Sequence, residues 1–164
     1  MEALPHSKTL VLEKQSHALH ITINRPEVRN AMSLEMVAEL SAVFSQIEND
    51  TSIRAVVIRG AGGHFCAGGD IKDMAGARNQ KTAEGESDPF YRLNRAFGQM
   101  IQQVNESSKV VIAVIEGAVM GGGLVWPVCR TSPSQDQPQS SVCRKPLSAS
   151  SRLRLHRLWW NASA

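Results

Sequence analysis

Two glycine-rich stretches, each fed by an apolar run, constrain this chain more than any other feature. The first, Arg59 to Met74 (RGAGGHFCAGGDIKDM), follows Ala55 to Ile58 (AVVI) and includes Gly60, Gly62, Gly63 and Gly68. Glycine lets the backbone take positive φ and come close to a ligand. The second, Gly117 to Gly123 (GAVMGGG), follows Val110 to Ile115 (VVIAVI), and its three consecutive glycines leave a row of main-chain N–H groups uncovered. Short apolar runs bounded by glycine read as buried strands, so each loop leaves the end of a strand. Two loops of one kind point to one site. Two converging backbone N–H donors stabilise an oxyanion on a carbonyl, where a preorganised donor is worth about 2.7–4 kcal/mol of barrier.

The elements before and between these loops build an α/β order. Thr9 to Glu13 and Ala18 to Asn24 are rich in β-formers and read as a hairpin joined by Lys14 to His17. Asn24, Arg25 and Pro26 stop the second strand, since proline lacks a ladder donor. Ser33 is a good N-cap with Glu35 in the first turn, and Leu34, Val37, Leu40, Phe44 and Ile47 repeat at helical spacing. Strand, helix and then the strand at Ala55 to Ile58 imply a right-handed parallel crossover, which sets the first glycine loop at a carboxyl strand end. Gly76 to Asp88 has no apolar period and reads as a mobile surface loop. Asp88 and Pro89 then open a helix whose Phe90, Leu93, Phe97, Met100, Ile101 and Val104 share a face, and Val110 to Ile115 is a further buried parallel strand.

At 164 residues with 42% hydrophobic content the chain has room for one ordinary core. Its longest aliphatic run is the six residues from Val110 to Ile115, far short of a membrane span. No charged amino-terminal region precedes an apolar stretch, so the expected location is cytoplasmic. Cys66, Cys129 and Cys143 have no metal-ligand spacing, and three cysteines argue against a disulfide framework. The charge of +3 belongs to the tail: residues 125–164 hold six basic residues against Asp136 alone. All 12 glycines precede residue 125 and all three tryptophans follow it.

The pairing of FCAGGDIKDM with EGAVMGGG, preceded by NRPEVRNAMS, resembles the crotonase superfamily, which includes the enoyl-CoA hydratases and isomerases. The resemblance covers residues 9 to about 124. PHSKTLVLEK, NRPEVRNAMS and GGHFCAGGDIKDMAGAR together look most like the isohexenylglutaconyl-CoA hydratases of acyclic terpene breakdown. The fold this implies is a crotonase-like ββα spiral, incomplete at its carboxyl end. The implied activity is addition of water to an α,β-unsaturated acyl-CoA, with coenzyme A as part of the substrate and no separate cofactor or metal. A non-catalytic acyl-CoA-binding fragment and an isomerase relative are the alternatives. Family members resemble one another as trimers or paired trimers.

By the same resemblance, the N–H groups of Ala67 and Gly122 form the oxyanion hole. Ala67, Gly68, Gly69, Asp70 and Ile71 contact the CoA moiety, and Arg29 meets its phosphates. The region from Gly76 borders the acyl pocket. Taken without the resemblance, glycine content alone reads equally well as a pair of structural turns. Arg29 alone would be a solvated charge. Asp70 reads as a loop organiser rather than a base, because an aspartate readily holds neighbouring main-chain N–H groups. Cys66 reads as a packed small hydrophobe, with only adjacent His64 as a histidine partner. His6, His17, His20 and His64 have no spacing for a metal site.

Hydratases of this family use two glutamates, the first two residues after the triple glycine, where Val125 stands here. The second has no counterpart in the sequence. General acid–base assistance by such a group is worth a factor of about 10²–10⁴, so little turnover is expected of this chain. Residues 125–164 read as a basic tail rich in Ser, Pro and Arg, without structure and without the helix that should continue beyond Leu124. That abrupt change of composition implies translation out of frame from about Val125. Arg152, Arg154, Arg157 and the Trp159–Trp160 pair invite a nucleic-acid reading, but with no fold to hold them no nucleic-acid partner is expected.

Overall fold

The computed structural model describes residues 4–80, 85–121 and 141–144. Strands β1 (Leu10–Gln15) and β2 (Ala18–Ile23) form an antiparallel hairpin. The loop is two residues, Ser16 and His17, with Ser16 at φ 53, so the strands run closer to the turn than the apolar pattern alone implies. Helix α1 (Leu34–Ile47) follows, capped as expected by Ser33, whose side chain accepts from the Met36 N–H. Strand β3 (Ala55–Gly60) then pairs parallel with β2.

Helix α2 (Ile71–Asn79) leaves the first glycine loop, and its second half occupies residues expected to be loop. The helix buries no side chain, which removes the apolar period that would have announced it. Helix α3 (Pro89–Glu106) starts where Asp88 and Pro89 place it, with the Asp88 carboxylate accepting from the Tyr91 N–H. Strand β4 (Val110–Ile115) pairs parallel with β3, and strand β5 (Ser141–Arg144) pairs antiparallel with β4. The sheet order is β1-β2-β3-β4-β5. Strand β5 lies in the segment read as free of structure, so four residues of that segment are corrected to strand.

One core joins Leu19, Ile21 and Ile23 of β2 and Val56 and Ile58 of β3 to α1 and α3. From α1 come Met36, Val37, Leu40, Val43, Phe44 and Ile47; Leu34, placed on the same face by spacing, is exposed. From α3 come Met100, Ile101 and Val104, while Phe90, Leu93 and Phe97 are half-buried. In β4 only Val111 and Ala113 are buried, and Val110 is exposed. Among the described residues this strand is fully covered on one face only. No helix among the described residues is long and apolar enough to cross a membrane.

Candidate functional site

Three separated stretches meet at the carboxyl ends of β2, β3 and β4. A strap from Arg25 to Met32 follows β2, a first loop from Ala61 to Asp70 follows β3, and a second from Glu116 to Gly121 follows β4. The first loop runs between the other two and is bonded to both. On one side Phe65 N–H donates to Glu116 O at 2.8 Å, Cys66 N–H to Ala118 O at 3.2 Å, and Met120 N–H to Cys66 O at 3.1 Å. On the other side Met32 N–H donates to Gly68 O at 2.8 Å and Asp70 N–H to Met32 O at 2.9 Å.

Glycine is needed where these backbones touch. A Cβ on Gly60 would lie 1.8 Å from the His64 carbonyl oxygen. One on Gly117, at φ +58, would lie 2.2 Å from Gly63 O and 2.6 Å from His64 Nδ1. Such distances exclude any side chain, and positive φ adds strain for one that is not glycine. Gly68 and Gly121, both at positive φ, bring the two loops into contact, since a Cβ on Gly121 would stand 3.6 Å from Gly68 Cα.

Side chains complete the frame. Asn30, fully buried at φ 57, accepts from Arg25 N–H at 2.9 Å and donates through Nδ2 to Ala61 O at 2.8 Å and His64 O at 2.6 Å. Arg25 donates to Ala31 O at 2.5 Å and pairs with the buried Asp70 carboxylate at 2.7 Å. Asp70 also caps α2 by accepting from the Lys72 N–H at 2.9 Å. Burial alone would raise the Asp70 carboxyl, but the Arg25 hydrogen bond and charge, with the Lys72 and Asp73 N–H groups, hold it below the usual carboxylate range. A deprotonated, fully committed carboxylate of this kind organises a loop.

The sequence-derived site residues fare differently. The Ala67 N–H, assigned to an oxyanion, instead donates to Arg29 O at 3.0 Å. That assignment is corrected: this donor is already used within the protein, because the first loop is paired with the strap at this point. Gly69, two residues on, is oriented differently. It pairs with Met32 through the bonds of its neighbours, which turns its own N–H away from the strap, and it is exposed without a main-chain acceptor among the described residues. Gly122 lies outside the described residues. Gly68 is buried against Met120, Arg29 is exposed at φ 51, and Ile71 is 81% exposed at the first position of α2. Cys66 is fully buried; burial pushes its thiol up, which removes the thiolate a nucleophile needs. A groove of about 450 Å³ opens beside α2, lined by Leu34 at the start of α1, by Lys72 and Gly76 of α2, by Gln80 at its end, and by Arg92 and Leu93 of α3. Gly76 and its neighbours therefore border a cavity. No group of three His, Cys, Asp or Glu side chains that could hold a metal ion occurs among the described residues.

Asn30, Arg25 and His64 escaped sequence reasoning as frame-builders. Apart from the short-range bonds of Arg25 to Asn30 and Ala31, their partners lie far along the chain, at separations of up to 54 residues. The one local signal was the succession NRPEVRN, where polar residues before a good N-cap mark a strap too rich in hydrogen-bonding groups to be plain linker.

Comparison with known proteins places this arrangement. The chain belongs to the enoyl-CoA hydratase/isomerase family, whose description matches residues 13–129, and it has the crotonase fold. It is 79% identical to the crystal structure of an enoyl-CoA hydratase/isomerase from Marinobacter aquaeolei, covering 73% of this chain and 45% of that one at a TM-score of 0.69. It is 34% identical over 113 residues to enoyl-CoA hydratase EchA19 of Mycobacterium tuberculosis, covering 69% of this chain and 41% of the relative. It is 36% identical over 117 residues to the mitochondrial Delta(3,5)-Delta(2,4)-dienoyl-CoA isomerase of Mus musculus, covering 70% and 36% respectively. The chain thus spans about two fifths of the length of these curated relatives.

Proposed function

We propose that this chain binds acyl-CoA thioesters, with the thioester carbonyl held by the Gly69 N–H and by the Gly122 N–H of the second glycine loop. One observation carries this reading: the exposed Gly69 N–H has no main-chain acceptor among the described residues, beside a loop that enters a triple glycine. A carbonyl oxygen gaining charge is the ligand such donors favour. Gly68 to Ile71 with Arg29 serve the CoA portion, and the groove bordered by α2 and α3 gives room beside the loops. Gly68 does so through its backbone, since the residue itself is buried.

The reaction of this line is addition of water to an α,β-unsaturated acyl-CoA of the isohexenylglutaconyl type. This chain turns over little, because Val125 stands where the first glutamate would act and the second glutamate has no counterpart in the sequence. An isomerase reading has one observation in its favour, the 36% identity to a dienoyl-CoA isomerase. Assaying the full chain with a 2-enoyl-CoA and a dienoyl-CoA separates the two by product.

Calorimetric titration with an acyl-CoA tests the binding reading. Gly69→Pro and Gly122→Pro each remove one donor and are expected to weaken binding by a factor of ten or more, roughly one hydrogen bond to a charged group. Cys66→Ala is expected to leave it nearly unchanged. Equal affinity in the wild type and both proline variants would sink the site.

A further inference from the structure

His64 is where the two glycine loops meet, and acyl-CoA binding as described above makes no use of its side chain. Its carbonyl accepts from Asn30 Nδ2 at 2.6 Å, which ties it to the strap. Its ring Nδ1 lies 3.1 Å from the Ala118 nitrogen in the second loop. A main-chain N–H only donates, so Nδ1 is the acceptor, and the ring proton resides on Nε2. Gly117 must lack a side chain because a Cβ there would stand 2.6 Å from that same Nδ1. The loop is therefore packed onto the imidazole as well as bonded to it. Three residues beyond Ala118 lies Gly121, at the entrance to the triple glycine.

We propose that His64 is a positioning residue whose neutral imidazole holds the second glycine loop against the first, and whose protonation releases that loop. An imidazolium has two donors and no acceptor, so the Ala118 N–H would face another donor and lose its partner. The charged residues on the elements around the ring are Arg59 at the end of β3, Arg25, Glu27 and Arg29 in the strap, and Glu116 before the second loop. No ion pair joins any of them to the ring among the described residues, and Asp70 is committed to Arg25. The effect on ligand binding rests on the acyl-CoA reading, whereas the latch stands on the hydrogen-bond geometry alone.

Two variants of the full chain separate this role from simple packing. Asn places its Oδ1 where Nδ1 sits and accepts without titrating, while Leu fills space and accepts nothing. Amide exchange followed by NMR reads the protection of Ala118 against its intrinsic rate at each pH, with Val56 and Ile58 in β3 reporting that the fold is intact. Protection at Ala118 is expected to fall about tenfold in His64→Leu at neutral pH, the scale of one net hydrogen bond. The wild type is expected to show the same fall on acidification, and His64→Asn to show none at either pH. Equal Ala118 protection in all three proteins, or acid loss undiminished in His64→Asn, would overturn the proposal. Titration with an acyl-CoA is run alongside. If Ala118 responds as expected but no acyl-CoA binds to the wild type, the latch stands and the ligand reading falls.

Discussion

The two glycine loops leave neighbouring parallel strands, yet they are held in different ways. The first is fixed from the strap by Asn30, by the Arg25–Asp70 pair and by main-chain bonds to Arg29 and Met32. Among the described residues, the hydrogen bonds that hold the second run to the first, Glu116 and Ala118 to Phe65 and Cys66, Met120 to Cys66, and Ala118 to the His64 ring, while Val119 packs against the core. Order in the second loop is thus borrowed. A perturbation of the strap or first loop should reach both, whereas one in the second loop should stay there. Regions held by few bonds of their own open at lower free energy than the core that supports them.

The largest effect that could break this hierarchy is expected at Gly60. Gly60→Ala drives a Cβ into the His64 carbonyl and the Asn30 amide, so both loops and the end of β3 must shift. A loss of about 4 kcal/mol is expected, at the upper end for single substitutions. Gly117→Ala is equally forbidden locally, but its neighbours Gly63 and His64 belong to the loop contact rather than to the sheet. Chemical denaturation should show a markedly smaller loss for Gly117→Ala, together with loss of acyl-CoA binding. If the two variants unfold with the same midpoint, the second loop is no dependant of the first.

Next in size is Asn30→Ala. It leaves the Arg25 N–H and the carbonyls of Ala61 and His64 without their partners, and it removes a side chain that tolerates the left-handed backbone. Leaving buried groups unsatisfied costs about 1–3 kcal/mol each, moderated by water that can enter a vacated site. A loss of about 3 kcal/mol is expected, with amide protection falling in both loops. Protection that fell in the second loop alone would reverse the proposed order of dependence.

Acid should act on the first loop through Asp70. Its carboxyl lies below the ordinary range when folded, because the gain from Arg25 and the α2 N–H groups exceeds the cost of burial. The unfolded state therefore binds protons more readily, and stability is lost as pH falls. The contribution is full above about pH 4, the ordinary aspartate value, and disappears as pH drops through the lower folded value. Asp70→Asn is expected to be less stable than wild type at neutral pH, with the gap narrowing below about pH 4. Glu39 and Glu48 are lowered as well, each despite a cost of burial, Glu39 by hydrogen bonds from Thr9 and Lys8 and Glu48 by those from Ser108 and Ser107, so an acid limb remains in the variant. A constant gap across the acid range would show that Asp70 is not the coupled group.

What the sequence disclosed of this arrangement follows the range of the interactions. Ser33 and Asp88 announced their helices because a cap acts within one turn, β2 was visible in its β-formers, and β3 and β4 were visible as apolar runs. Helix α2 was half missed because all of its side chains meet solvent or half-buried surface, leaving no apolar stripe to read. The Ala67 donor was misassigned for the opposite reason: its partner Arg29 lies 38 residues earlier, and no local pattern reveals a main-chain pairing of that span. Strand β5 joins the sheet through main-chain bonds to β4, and its four residues, Ser-Val-Cys-Arg, are too few and too mixed to show a period. The expectation of a shifted reading frame after Leu124 concerns the coding DNA. Translating all three frames from codon 124 should reveal a continuation with helix, strand and a loop glutamate, and absence of such a continuation would dismiss the shift.

The smallest effect on stability, and the sharpest on order, is expected at Cys66. This residue lies in the first loop, with its N–H and carbonyl both bonded to the second loop and its thiol fully buried beside Gly68 O. Burial pushes the thiol up and keeps reagent from it for as long as the loops stay closed. Alkylation located by peptide mapping, which separates Cys66 from Cys129 and Cys143, should therefore be slow in the wild type. If the second loop lifts away first, Cys66 should become reactive in Gly117→Ala while amides of the strap stay protected. In Asn30→Ala both should open together. Cys66 that stays unreactive in Gly117→Ala until the whole chain unfolds would mean that the loops open as one unit, and the difference between them would then be one of wiring without consequence for motion.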